Sequence, residues 1–172
     1  AEGFGEDTYL AGRLAAAVVR GYQGESLSDP MSMAACAKHF VGYGAAEGGR
    51  DYNTTYIPER QLRDTYFPPF KAAVEAGCAS VMSSFNDFDA IPASGNKWLM
   101  RTVLRDELGF EGFVVSDYNA IHEMVAHGIA ADGKEAAALA FDAHINMNMV
   151  DCDYIKYGEE LVREKRVSEK TI

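Results

Sequence analysis

Between Asp7 and Arg20 the apolar residues Leu10, Leu14, Ala17 and Val18 recur at helical spacing, with Gly21 and Gly24 as stop signals. This pattern predicts an amphipathic helix at the start of the chain. The run Ala34–Phe40 is short, apolar and then abruptly polar at Lys38-His39, which reads as a buried strand. Gly42, Gly44, Gly48 and Gly49 make the following stretch a long flexible loop. Behind Pro58 the residues Glu59-Arg60-Gln61-Leu62 open a helix that Pro68-Pro69 bends and that ends at Gly77. Strand Ala79–Phe85, helix Asn96–Leu108, strand Phe113–Asp117, an Ala-rich helix from Lys134 to Ala143, strand Ile145–Val150 and a helix from Tyr154 complete the pattern.

Short apolar strands each followed by a helix spell repeated βα units, for which a parallel sheet covered by helices is the stable solution. The expected class is therefore α/β. In such sheets the chemistry sits beyond the C-terminal strand ends. The polar pairs Lys38-His39, Ser83-Ser84 and Ser116-Asp117 and the stretch Asn146–Asn148 all fall there. A closed eight-stranded barrel takes around 250 residues, whereas this chain supplies about four βα units and a leading helix without its own strand. The expectation is part of a (β/α)8 TIM-like barrel, with the upstream strands lying N-terminal of the chain.

Composition narrows the partners. Of 172 residues 48% are apolar, enough for one core, and Lys plus Arg total 16 against 26 Asp plus Glu, a net charge of −10. Such a balance disfavours nucleic acid and anionic membrane surfaces and suits a neutral or cationic substrate. Cys36, Cys78 and Cys152 are odd in number and lack a CxxC pattern, so they suggest neither a disulfide framework nor a metal site and read as buried small apolar residues. No apolar run approaches the roughly 20 residues of a membrane-spanning helix. The opening Ala1-Glu2-Gly3-Phe4-Gly5 carries no charged leader before an apolar stretch and does not begin with Met, so the natural N-terminus is expected upstream.

Asp117 is the leading candidate for chemistry. It ends a strand that would hold it rigidly at the mouth, as a nucleophilic carboxylate must be held. An aspartate there is equally an ordinary cap for the following helix. Lys38 and His39, at another strand end, offer donors for hydroxyl groups, and the lysine charge would keep a nearby carboxylate ionised; a Lys-His pair is also a common solvated loop start. Glu47, Arg50 and Asp51 are polar loop residues over the same mouth, where ligand contacts gather.

Five stretches resemble glycoside hydrolase family 3 β-glucosidases in order and spacing: Glu2–Asp7, Lys38–Gly44, Glu47–Asn53, Pro68-Pro69-Phe70 and Phe113–Asp117. The resemblance spans nearly the whole chain. It implies a retaining double displacement at terminal β-linked glucosyl residues, with no metal or organic cofactor, and with Asp117 as nucleophile and Lys38 and His39 as sugar-hydroxyl ligands in the −1 subsite. Met82 and Phe85 fall on a strand-end segment beside that subsite, and Phe85 lacks the hydroxyl of the Tyr often found there. Tyr118 stands where the family usually has Trp and keeps an aromatic face for a sugar. The chain departs from the family at His144, where Gly is usual, at Asn146 and Asn148, where Asp is usual, and at Thr8, where Pro is usual.

By the same resemblance, residues 1–172 form the C-terminal part of the barrel domain. The general acid/base is expected from a following domain, and further sugar ligands upstream. Association with the missing barrel half or a second subunit follows, as does a periplasmic or secreted setting. The isolated fragment is expected to be inactive. Competing readings are a non-catalytic carbohydrate-binding or scaffold fragment, and another specificity such as β-xylosidase or β-N-acetylglucosaminidase. The last branch takes its proton donor from an Asp-His pair in the loop after Lys-His, and residues 41–57 contain no histidine. A barrel enzyme for phosphorylated substrates ranks last, because no Gly-rich phosphate loop opens a helix.

Overall fold

In the computed structural model, which describes residues 3–171, three of the apolar runs become a parallel sheet. The elements are α1 (Thr8–Gln23), β1 (Cys36–Phe40), β2 (Thr54–Thr55), α2 (Glu59–Gln61), α3 (Phe67–Glu75), β3 (Ser80–Ser83), β4 (Asp87–Phe88), β5 (Ile91–Pro92), β6 (Phe113–Val115), α4 (Glu123–Ala126), α5 (Gly133–Asp142) and α6 (Asp153–Arg163). Two further helices, Leu62–Tyr66 and Trp98–Glu107, carry π-type hydrogen bonds. Ala1, Glu2 and Ile172 lie outside the described residues, and with them the first residue of the opening motif.

β1, β3 and β6 pair in that order, all parallel, with Cys36 opposite Ser80 and Val81 opposite Val114. The helices cover the sheet, and the core forms where they meet it. Leu99, Met100, Val103 and Leu104, all on one side of the Trp98–Glu107 helix, are essentially unexposed beside Phe40, Val81 and Val114. Each such aliphatic side chain contributes about 1.5–3 kcal/mol by leaving water.

The fourth expected strand, Ile145–Val150, is not a regular strand. Only Met147 bridges to Val115. Asn146 N–H and Met147 N–H both donate to the Val114 carbonyl, at 2.9 and 3.1 Å, while the Val114 N–H is taken by Asn146 Oδ1 at 2.8 Å. A side chain thus stands where a strand carbonyl would accept, and the ladder breaks. His144 and Val150, at φ +62 and +74, bracket the segment with left-handed backbone that no strand can continue through.

Asp7 caps α1 through a 2.7 Å bond from Leu10 N–H, and Gly24, at φ +57, ends it. The stripe picked out by periodicity is not the buried one: Leu10, Leu14 and Val18 are exposed, while Ala11, Gly12 and Val19 are buried. α1 packs on α3 through its small residues; a Cβ on Gly12 would sit 3.3 Å from that of Ala72. Gln23, at the end of α1, receives the N–H groups of Ala35 (3.1 Å) and Ala79 (2.9 Å) and donates to Gly77 O (2.8 Å), tying the starts of β1 and β3 together. Two cysteines also differ from expectation, since Cys36 and Cys152 are exposed and only Cys78 is buried.

The Gly-rich loop is pinned rather than free. β2 pairs with β4, and the Asp87 carboxylate accepts Thr54 Oγ1 at 3.0 Å and Thr55 N–H at 3.1 Å. Asn86 Nδ2 donates to Val41 O at 3.2 Å. Pro68 and Pro69 fall inside a run that is helical from Glu59 to Glu75, directly after its π-helical stretch Leu62–Tyr66, whose wider turn stands where the prolines' missing N–H groups interrupt the regular ladder.

Candidate active site

Parallel strands deliver their C-terminal residues to one end of the sheet, and this is where Lys38 and His39 of β1, Phe85 beyond β3 and Asp117 beyond β6 meet. His39 Nε2 lies 3.6 Å from Asp117 Oδ2, with both side chains only 10% exposed. The other carboxylate oxygen, Oδ1, accepts the Tyr118 N–H at 2.6 Å. Oδ2 is buried and has no hydrogen-bond partner.

The alternative role as a helix cap does not match this geometry. α4 begins only at Glu123, and the Asp117 side chain bonds to the adjacent amide rather than to the first turn of that helix. Burial pushes the Asp117 carboxyl above its ordinary pKa; the Tyr118 N–H, His39 and Lys38 pull it back, and Asp51 pushes it up. A carboxylate held by one amide, with an imidazole beside it and one oxygen free of hydrogen bonds, has the chemistry of a nucleophile or of a ligand for a polar group.

An aromatic wall stands beside it. His39 packs against Tyr43, with ring centroids 4.6 Å apart, and Phe85 meets His39 at 6.2 Å and Tyr43 edge-on at 5.2 Å. Tyr118 projects outward, 58% exposed. Lys38 is exposed at the end of β1. Asp51 is exposed yet close enough to act on Asp117, and Arg50 stands exposed on the loop beside it. Met82, half-buried on β3 with its Cα in register with Val115, lies on the face opposite Val81 and Ser83.

The predicted set therefore divides. Asp117, His39, Lys38, Phe85 and Asp51 are brought together and Tyr118 adjoins Asp117, while Arg50 is placed on the exposed loop and Met82 on β3. Neither Tyr43 nor Tyr52 was among the expected site residues, although both lie within the stretches Lys38–Gly44 and Glu47–Asn53 that carry the family resemblance. Elsewhere, a hollow of about 670 Å³ lined in part by Tyr56, Phe88 and Trp98 opens beside the small sheet. Its indole is already stacked on Phe88 at 5.6 Å, with the Arg63 guanidinium 5.9 Å over the ring. Among the described residues no three His, Cys, Asp or Glu side chains are grouped to hold a metal ion, and no helix is long and apolar enough to cross a membrane.

Parallel strands, covering helices and polar residues gathered at the C-terminal strand ends define part of an α/β, TIM-barrel-like domain. Residues 1–172 match the glycosyl hydrolase family 3 N terminal domain. The chain is 43% identical over 167 residues to the periplasmic beta-glucosidase of Salmonella typhimurium, a match covering 97% of this chain and 22% of that protein. It is 44% identical over 153 residues to a beta-xylosidase of Formosa agariphila, covering 87% of this chain and 21% of the relative. The crystal structure of a beta-glucosidase from Listeria innocua in complex with glucose superposes with a TM-score of 0.96 at 43% identity, over 99% of this chain and 24% of that one. The chain belongs to glycosyl hydrolase family 3, and it spans about a fifth to a quarter of the length of these relatives.

Proposed function

We propose that the intact protein containing this chain is a retaining β-glycosidase that removes terminal β-linked glucosyl residues. Asp117 attacks the anomeric carbon as the glycosidic C–O bond breaks, a general acid outside this chain protonates the departing oxygen, and a glycosyl-Asp117 ester remains. Water then cleaves that ester and restores the carboxylate. Lys38 and His39 hold sugar hydroxyls, Met82 and Phe85 line the same subsite, Tyr118 offers its exposed ring to the sugar beyond, and Arg50 and Asp51 contribute from the loop.

The observation that carries this reading is the Asp117 carboxylate, buried, with Oδ2 free of hydrogen bonds and 3.6 Å from His39 Nε2. A buried oxygen left unpaired costs about 1–3 kcal/mol, a cost sites of chemistry commonly bear. The names of the beta-glucosidase relatives support the substrate class, and the periplasmic relative supports a periplasmic or secreted setting. In this reading residues 1–172 are the C-terminal part of the barrel domain, completed by upstream strands, and the chain alone is inactive.

Incubation of the full-length protein with a 2-fluoro glucoside, followed by peptide mapping, tests the assignment. The expected label is on Asp117, and a label on any other residue overturns it. The beta-xylosidase relative favours a second reading, a xylosyl substrate, which lacks the exocyclic hydroxymethyl group. The ratio of kcat/KM for aryl β-glucoside and aryl β-xyloside decides between them.

A further inference from the structure

The loop after β1 reaches across the strand ends and touches the Asp117 segment at one defined point. Tyr52 Oη donates to the Tyr118 carbonyl at 2.6 Å, 66 residues away in sequence. Its ring stacks on Phe85, with centroids 4.4 Å apart and planes 23° from parallel. Tyr118 is thus held from both sides, its N–H on Asp117 Oδ1 and its carbonyl under the Tyr52 hydroxyl.

Tyr52 itself is fixed. It lies between Asp51 and the Thr54–Thr55 strand that Asp87 anchors, and its backbone is left-handed, at φ +65. Burial raises its phenol pKa, and Asp117, Glu123 and Asp51 raise it further, so the hydroxyl keeps its proton and remains a donor well into the alkaline range.

We infer that Tyr52 is a positioning residue: through its bond to the Tyr118 carbonyl it fixes the direction of the Asp117 carboxylate and the stance of the exposed Tyr118 ring. This rests on the glycosidase reading above. Tyr52 acts through Tyr118 on the geometry of attack, where small displacements are costly in rate.

The test uses the full-length enzyme and its Tyr52→Phe variant, which keeps the ring on Phe85 and removes only the hydroxyl. The first-order constant for inactivation by a 2-fluoro glucoside and kcat should both fall about tenfold, a loss in keeping with one misdirected hydrogen bond, while the inactivator's dissociation constant and KM change by less than about twofold. Placing 4-aminophenylalanine at position 52, whose aniline N–H donates in the same direction, should restore the inactivation constant.

Labelling of wild-type Asp117 together with unchanged constants in a folded Tyr52→Phe variant overturns the positioning role alone. A parallel rise in KM that 4-aminophenylalanine does not reverse also overturns it, because that marks a merely structural loss. Wild-type labelling at another residue overturns both this role and the glycosidase reading.

Discussion

Replacing His144 with glycine should strengthen the end of α5, and the gain can be worked from the backbone. His144 follows the last turn of α5 at φ +62, with its own N–H bonded to Phe141 O at 3.0 Å and the Ile145 N–H reaching back to Ala140 O at 3.1 Å. This is the helix ending that glycine fits best. A side chain in left-handed backbone costs about 1–2 kcal/mol, of which glycine gives back about 0.5–1 kcal/mol through its freer unfolded chain, a net gain of about 0.5–1 kcal/mol. A pH-dependent part adds to it. The imidazole's pKa is lowered, first by partial burial and then by Arg101 and Arg105. A lowered folded pKa means that protons bind the unfolded chain more readily. The wild-type protein therefore loses stability as pH falls below about 6.5, and the glycine variant escapes that loss. Native-state hydrogen exchange of peptides spanning residues 140–150 reads the effect locally. Once corrected for intrinsic rates, exchange in the variant should slow by about 2–5-fold above pH 7.5 and by more below pH 6. Faster exchange, or the same factor at both pH values, would refute the reasoning.

Three further outcomes are expected. In the proposed mechanism Asp117 attacks in its ionised form, so activity should fall as pH drops through its pKa, which burial raises and Lys38 lowers; Lys38→Met should move the acid limb of the full-length enzyme's kcat/KM profile to higher pH, and an unmoved limb would contradict the electrostatic role. Asp89 and Ala90 form the two-residue turn between β4 and β5, both left-handed at φ +52 and +63, and Ala90→Gly should stabilise that hairpin by about 0.5–1 kcal/mol in denaturant titrations. A Cβ on Gly112 would lie 2.4 Å from the Ala79 carbonyl and 2.8 Å from the Phe110 ring, so Gly112→Ala should cost about 1–3 kcal/mol, seen as a lowered melting temperature.

The covered parallel sheet and the position of Asp117 were legible because short apolar runs ending in polar residues admit few other arrangements. The helices at 8–23, 98–107 and 133–142 were legible for the same reason, periodicity between clear stop signals. The fourth strand was not. There Asn146 bonds the Val114 N–H through its side chain, a choice that exists only once β6 lies alongside. The burial of α1 was misjudged on similar grounds: small residues, not the leucines, let it approach α3.

The class of fold, the order of the strands' polar ends and the residues that resemble a glycosidase site could all be read from the chain alone. Those features depend on local pattern and spacing, which each segment carries within itself. It took the folded arrangement to bring His39 3.6 Å from Asp117, to keep Asp117 from capping α4, and to carry Tyr52 across the mouth to Tyr118. Distances between residues far apart in the chain are set by how helices pack on the sheet and how loops are pinned, and no local pattern encodes them.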